Sequence, residues 1–382
     1  MMKFIFISLF FINNLFSNDI YNNYDIAYKT LLHSEYEEIE ANEKKDSDRE
    51  RSDLISWFNQ LNINYRMNDD FYLSIGSKAN LVIDETSYNN PLYALSKQNK
   101  DELNKIEISE LSINYDNDFF SFDLGRIDIN YDWLNGSIDG ALISIGDDKK
   151  SSLRFFWFDT FTQQSYNSYV KIKNINDDNG LYGTIFKTKK SDFELTLYDY
   201  YMQDLRNTYG VHLNYIQNSF GFDFIYTDDK ALSLAVYDYD ETLVQLSLKY
   251  VYGFNYIELG GSYTGKNGLL AMNQLGSHII GEFYMTNEID RENAKNIYMK
   301  YIYLSSNWYF KLVAGVSRYD NSFVSLETDL ESFEIDAYYR YYFNKQFFID
   351  MGIMGIDVDE EDPIDFSKLS STLTLGYKYE LF

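Results

Sequence analysis

The chain has 382 residues and a net charge of −26, with 2 prolines, no cysteine and an aromatic fraction of 18% that includes 37 tyrosines and 29 phenylalanines. The lack of cysteine excludes a disulfide framework, a thiolate metal site and a cysteine nucleophile. The balance of 33 Lys+Arg against 59 Asp+Glu argues against nucleic acid as a partner, since phosphate binding needs clustered positive charge.

The N-terminus reads "MMKFIFISLFFINNLFSND": Lys3, an apolar run from Phe4 to Ile12, then small and polar residues near Ser17. This predicts a secretory signal peptide over residues 1–18, too short to cross a bilayer. In residues 19–53, Ala27, Leu31, the Tyr28/Leu32/Tyr36 row and Ile39 predict a short N-terminal helix or flexible arm, with a first strand as the competing reading. From residue 54 to 382 the pattern changes to short stretches of period two between turns rich in Asp, Asn, Gly and Ser. Leu61, Ile63 and Tyr65 alternate with Asn62, Asn64 and Arg66, and Phe120, Phe122 and Leu124 with Ser121 and Asp123. Phe220/Phe222/Phe224/Tyr226, Trp308/Phe310/Leu312/Ala314/Val316 and Leu373/Leu375/Tyr377/Tyr379/Leu381 continue the series. No apolar run is long enough for a spanning helix.

Nearly every stretch has one continuously apolar face, tipped by Tyr, Phe or Trp, and one face of charges and amides. In hydrocarbon only a closed barrel satisfies the backbone of a strand, and this alternation with aromatic girdles is its signature. The sequence therefore predicts an all-β, transmembrane antiparallel β-barrel of about 18 strands, with 16–20 allowed. Counting back from a periplasmic C-terminus, residues 357–368 and 319–332 become outer loops and 344–346 and 305–307 short inner turns. "YGF" (252–254), "TDDK" (227–230), "NDDNG" (176–180) and "MNDD" (67–70) fall on the short-turn side. Residues 265–296 form one outer excursion, a candidate to fold inward.

The polar rows give the candidate pore-lining residues: Arg66, Asp123, Arg126, Arg154, Glu194, Lys249, Glu258, Lys300, Lys311, Glu334, Asp336, Arg340 and Asp350. With Lys378, Asp223 and Glu380 they make an interior of nearly balanced charge, so the negative excess belongs to loops and turns and any ion preference to the mouth. Arg126 enters only if a bulge after Gly125 turns it inward. The facing rows give a membrane-facing aromatic girdle of Trp157, Trp308, Phe310, Tyr339, Tyr341, Tyr377 and Tyr379.

The stretch "FFSFDLGRIDINYDWLNGSIDGALISI" (119–145) resembles the Opr-type outer-membrane porins of epsilonproteobacteria, in which a strand ending in Gly-Arg leads to an Asp-Trp loop and a Gly-containing return strand. Phe120 to Arg126, Tyr131 to Leu134 and Gly140 carry the likeness. It implies a diffusion channel in the Gram-negative outer membrane for small hydrophilic solutes. The expected partners are then outer-membrane lipid, lipopolysaccharide and the barrel-assembly machinery, with a homotrimer allowed. Phe382, the terminal aromatic, is the expected assembly signal, although it stands one residue out of phase with Leu381, Tyr379 and Tyr377. A substrate-specific channel and a non-channel adhesive barrel are the alternatives.

No catalytic constellation or cofactor is expected. Of the 3 histidines, His33 lies in the arm, His278 in the long excursion, and His212 on a polar row with Asn214; none has a nucleophile at recognisable spacing. "GGSYTG" (260–265) reads as strand glycines. "DVDEEDPID" lacks the turn glycine of a calcium loop and reads as a solvated loop, with no metal site.

Overall fold

The computed structural model describes residues 24–41, 50–87, 104–131, 133–147, 149–164, 169–176, 179–232, 240–266, 292–320, 329–359 and 366–381. They contain no helix. In chain order the strands are β1 (Tyr24–Ala41), β2 (Glu50–Arg66), β3 (Phe71–Ser87), β4 (Ile106–Asp116), β5 (Phe120–Tyr131), β6 (Leu134–Asp147), β7 (Ser151–Gln164), β8 (Tyr169–Asn174), β9 (Leu181–Lys190) and β10 (Phe193–Met202). They continue with β11 (Arg206–Gln217), β12 (Phe220–Ala231), β13 (Glu241–Tyr252), β14 (Asn255–Thr264), β15 (Glu292–Leu304), β16 (Trp308–Asp320), β17 (Asp329–Tyr342), β18 (Phe347–Asp359) and β19 (Phe366–Leu381).

Apart from β8 and β9, each strand pairs antiparallel with its neighbours in sequence, and β1 pairs with both β2 and β19, which closes the sheet. Closure removes the unpaired edges that hydrocarbon would not tolerate. The short β8 and β9 are two halves of one wall strand. β7 meets β8 from Thr160↔Asn174 to Gln164↔Tyr169 and β9 from Phe158↔Leu181 to Ser151↔Thr188. The 19 elements therefore make a closed 18-stranded barrel.

The arm expected over 19–53 is instead strand: β1 occupies residues 24–41, β2 starts at Glu50, and the barrel begins before residue 54. The Tyr28/Leu32/Tyr36 row explains the error. A spacing of four fits one helix face, but it is also an even number and so fits one strand face. Tyr28, Leu32 and Tyr36 share a face with Thr30 and Ser34, while Lys29, Leu31, His33 and Glu35 share the other.

At one end the connections are two to four residues long, at 67–70, 117–119, 148–150, 191–192, 218–219, 253–254, 305–307 and 343–346. Asparagine shapes three of them: the side-chain oxygens of Asn68, Asn117 and Asn344 each accept two backbone N–H groups in an Asx turn. The opposite end carries the long connections, including 88–105, 232–240 and 265–291. "TDDK" belongs to this long-loop end, and Asn176 and Gly180 of "NDDNG" fall in the break between β8 and β9. Thr227 to Lys230 are the last turns of the ladder in β12, where Asp229 is taken up by Arg206 and Thr208. The strand-like "HIIGEFYM", residues 1–18, His278 and Phe382 lie outside the described residues.

Candidate functional site

Only the inside of a closed barrel can bring side chains of distant strands together. Ile127 of β5, Phe158 of β7, Tyr198 of β10 and Leu243 of β13 share one buried cluster, so their face is the interior. The opposite face carries exposed Leu246, Leu248, Ile297, Val316, Phe333 and Ile353 and is the outer surface.

By this parity and the strand registers, Arg66, Asp123, Arg154, Glu194, Lys249, Glu258, Lys300, Lys311, Glu334, Asp336, Arg340 and Asp350 stand on the interior face. Trp157, Trp308, Phe310, Tyr339, Tyr341, Tyr377 and Tyr379 stand on the outer face. Tyr303 packs on Trp308 at 4.7 Å and Phe347 on Tyr377 at 4.6 Å between ring centres, a belt at the short-turn end.

Arg126 departs from its expected place. The β5–β6 pairing runs without a shift from Phe120↔Ile145 to Tyr131↔Leu134, with Gly125 opposite Gly140, so no bulge turns Arg126 to the side of Asp123. Arg126 stays on the side of Leu124. Its Nε and Nη2 donate to Asp139 Oδ1 and Oδ2, both at 2.7 Å, and Nη1 donates to the Ile108 carbonyl at 3.1 Å. Thr160 Oγ1 donates to the same carboxylate at 2.6 Å. A bidentate guanidinium–carboxylate pair of this kind fixes orientation as well as proximity.

This clamp marks where the wall opens. The β4–β5 ladder ends at Leu111↔Arg126, although β5 runs on to Tyr131. Above that point β7 reaches β4 directly: Thr162 Oγ1 donates to Glu107 Oε1 at 2.7 Å and Gln164 Nε2 to the Lys105 carbonyl at 3.0 Å. The hairpin tip, residues 127–138, therefore folds into the lumen. Ile127, Ile129, Trp133, Leu134 and Ile138 pack on Leu142, Phe156, Phe158, Tyr198, Tyr200 and Leu243. Trp133 and Leu243 are both 0% exposed. Trp133 Nε1 donates to Tyr198 Oη at 3.1 Å, and that hydroxyl lies 2.6 Å from Thr227 Oγ1. Ile175, from the gap between β8 and β9, joins the cluster. The hairpin's other face is polar: Asp128 accepts from Lys78 Nζ at 3.2 Å and from Ser137 Oγ at 3.3 Å.

Two facing glycines allow the fold-in. A Cβ on Gly125, whose φ is +121°, would lie 2.4 Å from the Leu111 carbonyl oxygen, and one on Gly140 would lie 2.1 Å from that of Trp157. Gly140→Val is therefore expected to abolish the heat-resistant folded band of the barrel on semi-native gels, while Ala141→Val on the outer face leaves it.

Across the lumen the wall is charged. Lys378 pairs in register with Lys29, Lys29 with Gln60, and Gln60 with Lys78, which puts three lysines on one interior row. The charged groups acting on Lys29 are Arg340, Asp350, Lys378 and Lys78, three cations and one anion, and Lys29 has no ion pair among the described residues. Arg340 is held by Asp350 at 2.5 and 2.8 Å and lies 4.9 Å over the Phe348 ring. Other interior charges are neutralised locally. Asp223 holds Lys249 at 2.6 Å and His212 at 2.8 Å; Glu258 holds Lys300 at 2.8 Å and accepts from Tyr298 and Tyr256; Glu194 holds Lys187 at 2.7 Å. His33 is buried with Thr374 and Glu35. The lumen is thus divided between an apolar side filled by the hairpin and a polar side on which Lys29 stands without an ion pair among the described residues.

Neither a family model nor a curated protein matches the sequence. Solved structures do match in shape. Acinetobacter baumannii OccAB4 is 14% identical with a TM-score of 0.72, the alignment covering 94% of this chain and 99% of that one. Pseudomonas aeruginosa OccK9 (OpdG) is 10% identical with a TM-score of 0.77 over 95% and 100%. Pseudomonas aeruginosa OpdK, solved with vanillate, is 11% identical with a TM-score of 0.70 over 93% and 98%. The chain shares their barrel fold. The likeness spans nearly all of each chain.

Sequence reasoning also missed Lys29, Lys78, Asp128 and Asp139. For Lys78 a signal existed: it continues the even-numbered polar row of Tyr72 and Ser74. Lys29 had none once its segment was read as helical.

Proposed function

We propose that the chain is an outer-membrane porin, a water-filled channel for passive diffusion of small hydrophilic solutes. The observation that carries this reading is the pairing of an apolar outer wall with a lumen lined on one side by charge and narrowed by an inward-folded hairpin. A barrel of this strand number is wide enough for water. Under this reading residues 1–18 are the export signal, Phe382 addresses the assembly machinery, and the interior charges line the path. A trimer is compatible with it.

Reconstitution in planar bilayers tests the proposal. Ohmic steps are expected, and a chain that inserts, resists heat and never conducts would return the adhesive-barrel alternative. One observation favours a narrower version. Lys29 has no ion pair among the described residues and stands beside Lys378, Lys78 and Arg340, so small anions should be preferred there, against the sequence-level expectation that the acidic mouth decides. Because one structural neighbour was solved with vanillate, an aromatic carboxylate, benzoate-type carboxylates are suitable probes. Millimolar benzoate is expected to add brief blockades to the open-channel current, and neutral benzyl alcohol is not.

A further inference from the structure

We propose that Lys295 and Arg318, on the membrane-facing wall at the long-loop end, bind the phosphate groups of the outer-leaflet glycolipid. This site rests on reading the chain as an outer-membrane barrel, and it is separate from the lumen.

Lys295 of β15 and Arg318 of β16 are direct cross-strand partners, and Tyr263 of β14 and Glu331 of β17 complete the row. All four are outside by parity. Two residues closer to the short-turn end, the same strands carry Gly261, Ile297, Val316 and Phe333, with Ile297 62%, Val316 51% and Phe333 49% exposed. The cations therefore stand one step beyond the apolar band, where acyl chains end and headgroups begin. The next row outward is acidic, with Glu292 opposite Asp320. The positive layer is one residue pair deep, which is the place of a phosphate capping acyl chains.

A like-charged pair set directly opposite is destabilising by itself. Glu331 approaches Arg318 at 3.7 Å from a strongly exposed position, and Lys295 has no ion pair among the described residues. The register is nevertheless fixed. A bulge between Glu292 and Lys295 places Asn293 at φ 50°, its Nδ2 donates to Asp320 Oδ2 at 2.6 Å, and Ala294 is buried against Tyr319. Bulges of this kind aim side chains. An anion that bridges both cations removes their repulsion, and a phosphorylated lipid also covers the apolar row below them.

The test uses the full chain folded in detergent, with heat resistance on semi-native gels as readout. The probes are bisphosphorylated lipid A, its dephosphorylated form, and phosphatidylglycerol. Lipid A is expected to raise the transition temperature, and Lys295→Ala/Arg318→Ala to raise the half-saturating lipid A concentration by about tenfold or more. Lys295→Arg and Lys230→Ala should behave as wild type. Equal stabilisation of the double variant, or equal effects of phosphatidylglycerol or dephosphorylated lipid A, would overturn the site. Conductance separates the two readings: a double variant that conducts normally leaves the channel proposal standing whatever the lipid result. A wild-type chain that neither conducts nor resists heat would sink both.

Discussion

Trp133→Ala is expected to convert steady single-channel currents into currents that switch to a larger, noisier open level. Trp133 anchors the inward hairpin tip: it is fully buried, and its indole N–H donates to Tyr198. Truncating a buried Trp to Ala costs about 3–5 kcal/mol. Because 127–138 has no ladder to β4, this cost falls on hairpin docking more than on the barrel. Each 1.4 kcal/mol is a factor of about ten, so the docked-to-undocked ratio should fall by two powers of ten or more. Excising residues 127–138 in favour of a short Gly-Ser turn should give the larger level permanently. Arg126→Ala, which removes the clamp to Asp139 and the Ile108 carbonyl, should act in the same direction with smaller effect. Wild-type conductance in the excision variant, with a folded barrel on gels, would show that the hairpin does not constrict the path.

The same hairpin shows how far the sequence could be read. Phe120, Phe122 and Leu124 put the apolar parity on even numbers; after Gly125 it moves to Ile127, Ile129 and Tyr131. Read alone, that shift suggests a bulge, and the pairing with β6 has none there. What changes is the strand's surroundings: below Gly125 the apolar face meets the outside, and above it the apolar face meets the lumen cluster. Wall strands such as β16 were legible because both of their faces have one environment along their whole length. β1 was not, since a spacing of four satisfies both periods. The adjacency within the basic row could not be read, because Lys29 and Lys378 become neighbours only when the first and last strands close the barrel. Proximity of that kind is a property of topology and leaves no local pattern.

Lys29→Glu is expected to move the reversal potential in asymmetric salt from the anion-selective side toward cations, with little change in conductance or heat resistance. Lys29 is the suitable probe because its neighbours are otherwise engaged: Lys78 holds Asp128, Lys378 pairs with Glu380, and Arg340 is clamped by Asp350. Changing Lys78 would loosen the hairpin as well as the field, so its effect on selectivity would be mixed with one on pore size. At Lys29 the reversal changes the local charge by two units and adds an attraction to three cations. Unit charges about 4 Å apart in water interact by about 1 kcal/mol, and by less with distance and salt, so a several-fold change in relative permeability is the expected scale. Lys29→Gln should lie midway, and raising the salt from about 0.1 M to 1 M should shrink both effects as the screening length falls from about 10 to 3 Å. If Lys29→Glu leaves the reversal potential unmoved, selectivity is set outside the constriction, and the basic row is a structural feature of barrel closure.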